Sequence, residues 1–108
     1  MPIVILSTVP TEEHAGRIAR ALVEEGLAAC VSVVPGLRSF YRWKGDLCDD
    51  SEFLLLIKTR EELFAPLADR LHEIHPYEVP EIVALEASDV APAYLAWLQG
   101  ATERAGNV

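Results

Sequence analysis

The stretch LAACVSVVPGLRSFYRWKGDLCDDSEFLLLIK, residues 27–58, decides the fold. Two strand-forming runs, LAACVSVV and FLLLIK, open and close it, and between them lie the aromatic segment SFYRW and the turn Lys44-Gly45-Asp46. A glycine turn between extended runs predicts a β-hairpin, and Pro35-Gly36 predicts a bend or bulge in its first arm. Each arm has roughly a dozen or more residues, against about five or six in a usual strand.

A strand and a helix precede the hairpin. IVILSTV, residues 3–9, is a nearly unbroken β-branched run, which predicts a strand buried on both faces. Thr11 can cap a helix that Gly26 ends. The buried stripe of this helix recurs at helical spacing: Ala15, Ile18, Ala19 and Leu22. Residues 27–34 then predict a second buried strand.

A second helix and a fourth strand follow the hairpin. Thr59 and Glu62 form a T-x-x-E capping box, which predicts that a helix begins just after Thr59. Pro66 should kink this helix or delay its start, because proline lacks the amide hydrogen. EIVALEA, residues 81–87, has the composition of a strand.

A third helix closes the chain, with Asp89 as its expected cap and a tail that should fray from about Gly100. The order β-α-β-β-α-β-α predicts an α+β fold. We expect a ferredoxin-like βαββαβ sandwich with a long central hairpin and an extra C-terminal helix, in a single domain over residues 1–108. Both helical crossovers should lie on the same face of the sheet.

Composition narrows the function. The 108 residues are 51% hydrophobic and carry a formal net charge of −8, which disfavours nucleic acid and anionic membranes as partners. The two cysteines lie in different settings, Cys30 in an apolar run and Cys48 beside acids, so no disulfide framework is indicated. No signal-like segment opens the chain, so we expect a cytoplasmic protein.

The hairpin carries Phe40, Tyr41 and Trp43 beyond the reach of two covering helices. Exposed aromatic strands invite pairing unless a partner covers them. We therefore expect an oligomer in which the hairpin reaches onto a neighbour. The alternative is a hairpin that folds over its own sheet at the Pro-Gly bulge.

The stretch HPYEVPE, residues 75–81, has two interpretations. As a rigid corner, Pro76 ends the second helix and Pro80 fixes the entry into the fourth strand. As a site, an imidazole and carboxylates held by prolines could bind a metal. His75 fits a helix cap or an interface hydrogen bond as well as a ligand. The candidate ligands are His75, Glu78 and Glu81.

Outside this stretch, Cys30 could be a soft copper ligand or a small core residue. The acids Asp49, Asp50 and Glu52 have the pattern of a solvated hairpin surface. The chain has no P-loop, G-x-G-x-x-G or G-x-S-x-G motif, and we predict that it is not an enzyme.

Four motifs in this order, LAACVSVVPG, YRWKGDL, HPYEVPEIV and YLAWL, resemble the CutA divalent-cation tolerance family over nearly the whole chain. The resemblance implies a ferredoxin-like homotrimer whose hairpins pack on neighbouring subunits, with an architecture similar to that of PII signalling proteins. It also implies a link to tolerance of copper and other divalent metals, without an established enzymatic reaction.

The resemblance implies copper ligands at His75 and Cys30. Some relatives also have one cysteine where this chain has Ser7 and another in the second helix, near Arg70 here, so a thiolate-rich site is not expected in this chain. The predicted metal residues are therefore His75, Glu78, Glu81 and Cys30, and Tyr41, Trp43 and Tyr77 should wall an intersubunit cleft.

The predicted function is divalent-cation binding, with copper as the expected metal, in metal tolerance or homeostasis, without turnover and without a required cofactor. The alternative is a PII-like trimeric sensor or interaction protein that binds a small molecule or a protein in the intersubunit clefts.

Overall fold

The computed structural model describes residues 1–103 of the chain. It confirms the α+β, ferredoxin-like architecture with a long hairpin and an additional C-terminal helix. The elements are β1 (Pro2–Val9), α1 (Glu12–Glu24), β2 (Cys30–Trp43), β3 (Asp46–Arg60), a 3-10 turn (Glu61–Leu63), α2 (Phe64–Ile74), β4 (Val83–Glu86) and α3 (Pro92–Ala101).

The four strands form one sheet in the order β2-β3-β1-β4, and every neighbouring pair is antiparallel. β3 therefore lies between β1 and β2, the two strands that α1 connects. This is the split βαβ arrangement that the order of elements predicted.

The core lies between the sheet and helices α1 and α2. Alternate residues of β1 are buried, because successive side chains of a strand point to opposite faces. Ile5 of β1 and Ile57 of β3 are paired and fully buried, and the α1 residue Leu22 and the α2 residue Leu67 belong to the same cluster. Burying each such side chain contributes about 1.5–3 kcal/mol to stability.

The second face of the sheet, here called the open face, is only partly covered. It consists of Val4, Leu6, Val34, Leu54, Leu56, Val83 and Leu85. Val83 and Leu85 are 47% and 50% exposed. The prediction that β1 is buried on both faces is wrong for the single chain, because both crossover helices pack on one face of the sheet and leave the open face partly exposed. The predicted strand at residues 27–34 begins only at Cys30, since the amides of Leu27 and Ala28 bond to the carbonyl of Leu22 at the end of α1.

The hairpin projects past the rest of the sheet. β1 ends at Val9, which pairs with Phe53, so residues 37–52 extend beyond it. Lys44 and Gly45 have positive φ angles of 49° and 86°, which suit the two-residue turn between paired strands. The register shifts between Val34 and Leu37, as the Pro-Gly sequence predicted. Phe40 is 60% exposed, and the hairpin is not folded over its own sheet.

The predicted capping box is wrong. Thr59 belongs to β3 and is fully buried, and its Oγ1 donates to the carbonyl of Leu27 at 2.7 Å. The chain instead makes a 3-10 turn, and α2 begins at Phe64 without a side-chain cap. Pro66 then falls in the first turn of α2, where amides have no partner within the helix. Pro66 is therefore associated with a delayed start of α2 and not with a kink in the helix.

The C-terminal helix also differs from its prediction. α3 begins at Pro92, and Asp89 does not cap it. The helix continues through Gly100 to Ala101, and the fully buried Thr102 accepts a 2.8 Å hydrogen bond from Arg60 Nε, so the expected fraying from Gly100 is wrong. The rest of the predicted tail, residues 104–108, lies outside the described residues. β4 spans Val83–Glu86 only, shorter than the predicted residues 81–87.

Ser7 generates a stability prediction. Its Oγ is fully buried on the helix-covered face and has no hydrogen-bond partner among residues 1–103. Ser7→Ala should therefore raise the free energy of unfolding by about 1 kcal/mol, because it removes an unsatisfied polar group. Thr59→Val should lower it by about 1 kcal/mol, because the Leu27 carbonyl loses its donor. Guanidinium unfolding midpoints measure both, and a lower midpoint for Ser7→Ala would contradict the assignment.

Candidate ligand cleft at the base of the hairpin

A cleft of about 640 Å³ lies between the hairpin and the loop that joins α2 to β4. We call it the hairpin cleft. It brings together the predicted cleft residues Tyr41, Trp43 and Tyr77 within one chain. Its lining residues are Thr8 of β1, Ser39, Phe40, Tyr41, Trp43 and Glu52 of the hairpin, and Pro76, Tyr77, Glu78, Val79 and Glu81 of the loop.

Glu52 and Tyr77 join the two walls of the cleft. The Tyr77 hydroxyl donates to Glu52 Oε2 at 2.6 Å, and Glu52 is only 6% exposed. Glu52 is therefore not the solvated surface acid that the sequence indicated. Burial, followed by this hydrogen bond to a carboxylate, raises the pKa of Tyr77 well above its usual value. The phenol accordingly remains a protonated donor throughout the physiological pH range.

A second tyrosine-carboxylate pair lies farther along the hairpin. The Tyr41 hydroxyl donates to Asp50 across the two strands. This hydrogen bond is the main cause that raises the pKa of Tyr41 to about 12. Register explains the alignment, since Tyr41 pairs with Cys48 and Asp50 is the diagonal neighbour on the same face.

His75 lies behind the loop wall and is 8% exposed. Its Nε2 is 2.9 Å from the carbonyl oxygen of Thr8, which can only accept, so Nε2 carries the hydrogen. Nδ1 then accepts the Tyr77 backbone N–H at 3.0 Å. Burial lowers the pKa of His75, against the opposing effect of the Thr8 carbonyl. The imidazole is therefore neutral, and both of its nitrogens are engaged.

The four predicted metal residues do not meet in one chain. Glu78 and Glu81 line the cleft, whereas His75 is not among its lining residues. Cys30 pairs with Lys58 on β3, whereas Thr8 pairs with Leu54 on the same strand. Lys58 lies four residues from Leu54, so Cys30 is separated from the Thr8 end of β1 by roughly 13 Å along the strands. Among residues 1–103, no group of three or more His, Cys, Asp or Glu side chains is placed to hold a metal ion.

Cys30 has a setting of its own. It is a free, half-buried thiol on the same side of the sheet as the open face. Lys58 Nζ lies 3.8 Å from its Sγ and donates to Ser32 Oγ at 2.6 Å. A cation beside the thiol competes with a metal for this position.

Sequence reasoning missed the carboxylate of Glu52 and the carbonyl of Thr8. A signal for Glu52 was present, because it stands two residues before Leu54 in a strand and therefore shares a face with Leu54 and Leu56. The role of Thr8 is a backbone role, for which its side chain gives no signal.

The fold and the cleft define a small ferredoxin-like protein with an overlong hairpin and an acidic, aromatic cleft at its base. The chain belongs to the CutA1 divalent ion tolerance protein family, whose model matches residues 3–101. The resemblance found in the sequence motifs is thereby confirmed.

Proteins with similar sequences support the same family assignment. The divalent-cation tolerance protein CutA of Thermus thermophilus is 55% identical over 96 residues, covering 89% of this chain and 93% of that protein. Human protein CutA is 46% identical over 96 residues, covering 89% of this chain and 54% of the human protein. The chain thus spans nearly all of the bacterial relative and about half of the human one.

Solved structures give the same fold. The Thermus thermophilus Cut A1 structure superposes with a TM-score of 0.92 at 53% identity, covering 95% of this chain and 100% of that chain. CutA1 from Oryza sativa gives 0.91 at 43% identity, covering 94% of each. Related proteins are described as chloroplastic in Arabidopsis thaliana and as periplasmic in Archaeoglobus fulgidus. Within residues 1–103, no helix is both long enough and apolar enough to cross a membrane.

The buried imidazole generates a pH prediction. The His75 pKa is lowered on folding, so between its folded value and its unfolded value of about 6.5 the unfolded chain binds more protons. The contribution of the neutral His75 side chain to the free energy of unfolding is therefore fully present above pH 6.5 and is lost as the pH falls below that value. His14 and His72 add to the lowering, and Glu52 opposes it.

Urea unfolding at pH 7 and pH 5 checks this prediction on wild type and His75→Gln. Wild type should lose more stability over that interval than the variant, which has no ring to protonate. Equal losses in the two proteins would show that His75 does not titrate as its burial requires.

Proposed function

We propose that this protein binds divalent cations reversibly and without turnover, as part of metal tolerance. The observation that carries the proposal is the charge of the hairpin cleft. Glu52, Glu78 and Glu81 line it, and within residues 1–103 no lysine, arginine or histidine does. Membership of a divalent ion tolerance family supports the same function.

Copper is the proposed metal, because Cu²⁺ binds nitrogen and oxygen sites more tightly than the other divalent first-row ions. The proposed ligands in the cleft are Glu78 and Glu81, completed by water or by a second copy of the chain. His75 can bind a metal through Nδ1 only if it releases the Tyr77 amide, which couples that ligand role to movement of the loop. Cys30 would serve a separate position on the open-face side of the sheet.

Titration calorimetry with Cu²⁺, Zn²⁺ and Mg²⁺ tests this function. Wild type should bind Cu²⁺ most tightly. The double variant Glu78→Gln/Glu81→Gln should lose about tenfold or more in affinity, by analogy with the losses seen when metal-site partners are removed. Glu24→Gln, on the exposed surface of α1, serves as the matched control.

His75→Ala separates the two ligand schemes. A comparable loss of Cu²⁺ affinity supports the imidazole as a ligand, and an unchanged affinity contradicts that role while leaving the carboxylates in place. Absence of Cu²⁺ binding to wild type would contradict the function itself.

We also propose that the chain acts as a homotrimer in the cytoplasm. The partly covered open face, the exposed edges of β2 and β4, and the projecting aromatic hairpin all favour association. The free thiols of Cys30 and Cys48 suit a reducing compartment.

Analytical ultracentrifugation tests the assembly. Wild type should sediment as a trimer, and Trp43→Ala should weaken association by about tenfold or more, because buried aromatic anchors dominate interfaces. Val23→Ala, at an exposed position of α1, should leave the trimer unchanged. A monomeric wild type would contradict the proposal.

The second candidate is a PII-like sensor that binds a small molecule in this cleft. The cleft volume favours it, because about 640 Å³ lies within the usual 300–1,000 Å³ of small-molecule sites. An ion alone leaves most of such a space unfilled.

A further inference from the structure

We infer that the hairpin cleft is a receptor for an organic cation: a protonated amine carried on an apolar body. The inference rests on the second candidate function, a ligand-binding cleft, and not on metal coordination. It names the class of ligand that this cleft selects by its walls, its charge and its size.

The walls are aromatic. Tyr41 and Trp43 line the cleft from the hairpin, and Tyr77 lines it from the loop. Aromatic faces attract ammonium and guanidinium groups through the ring quadrupole. The Trp43 ring already accepts such a cation, since Lys44 Nζ lies 5.8 Å from its centroid.

The charge of the cleft selects the sign of the ligand. In the described part of the chain, the lining includes three carboxylates and no cationic side chain, which disfavours an anionic ligand. Glu52 is only 6% exposed as a residue, but its Oε1 is not among the fully buried atoms that lack a partner, so this oxygen remains accessible. Among the described residues, only its Oε2 has a hydrogen-bond partner, the Tyr77 hydroxyl. An ammonium that donates to Oε1 would complete the pairing of this acid.

The acceptor is held in place before a ligand arrives. Tyr77 fixes Glu52 from the loop side, and the backbone amide of Tyr77 is in turn fixed by His75. Preorganisation of this kind lowers the ordering cost of binding.

The size of the cleft requires a ligand with a body. A volume of about 640 Å³ accommodates a small organic molecule. A bare ion requires several converging ligands instead, and residues 1–103 place no group of three. The apolar body would lie against Trp43 and Tyr41, which share the hairpin face of Glu52, and the ammonium would point toward Glu52.

The test is calorimetric titration of the full chain at neutral pH, with a chelator present, using three probes of the same shape: benzylamine, benzyl alcohol and benzoate. The cation should bind about tenfold or more tightly than the alcohol, as expected for a charge-assisted hydrogen bond in place of a neutral one. Benzoate should show no binding.

Glu52→Gln should abolish the preference for the amine over the alcohol, and Glu24→Gln should preserve it. The glutamine oxygen can still accept from Tyr77, which protects the fold. Glu78→Gln, at an exposed position of the cleft, provides a second variant that leaves the core intact and should reduce amine affinity by a smaller factor.

Equal affinity for all three probes, or no binding of benzylamine to wild type, would overturn the inference. Because the chelator removes free metal, this result is independent of the copper titration. Failure of the amine with tight copper binding would remove only the organic ligand, and the reverse result would remove only the metal.

Discussion

One neutral imidazole connects the parts of the molecule that form the cleft. His75 donates to the backbone of β1 at Thr8 and accepts from the backbone of Tyr77, whose side chain then bonds to Glu52 on β3. These three hydrogen bonds connect the end of α2, the loop, the first strand and the hairpin. Each depends on the one before it, because the tautomer that Thr8 imposes leaves Nδ1 free to accept. The two prolines of HPYEVPE restrict the same loop, so the segment is both a rigid corner and a wall of the hairpin cleft.

The hairpin forms the cleft wall that lies opposite this loop. Without the strand residues that extend past the end of β1, Tyr77 would have no opposite wall, and Glu52 would be a surface acid. The same extension leaves aromatic side chains uncovered in a single chain, as does the open face of the sheet. The feature that forms the cleft is therefore also the feature that favours association, and the cleft of an assembled protein would include whatever a neighbour contributes.

Much of the fold could be predicted from local pattern. The Lys44-Gly45 turn, the Pro-Gly bulge and the Thr11 cap each depend on a few neighbouring residues, and the structure has all three. Thr59 was misjudged because its hydroxyl had a tertiary acceptor, the carbonyl of Leu27, that lies 32 residues away in sequence. Strand β1 was predicted to be buried on both faces because an apolar run does not reveal whether its second covering layer belongs to the same chain.

The candidate site also contains some features that the sequence predicted and others that depend on tertiary structure. The exposure of Tyr41 and Trp43 followed from the length of the hairpin, and the family resemblance implied their place in a cleft with Tyr77. The roles of Glu52 and Thr8 depend on strand register and backbone position.

Metal ions and organic cations would compete for the same charge in this cleft. A divalent ion bound at the rim by Glu78 and Glu81 would repel an ammonium at Glu52, and the coupling free energy would be the same in both directions. The two candidate functions are therefore linked: if both ligands bind, divalent ions would lower the amine occupancy of the cleft. Tyr77 bonds to Glu52 through its hydroxyl and to His75 through its backbone amide, so displacement of Glu52 by either ligand would act on the loop.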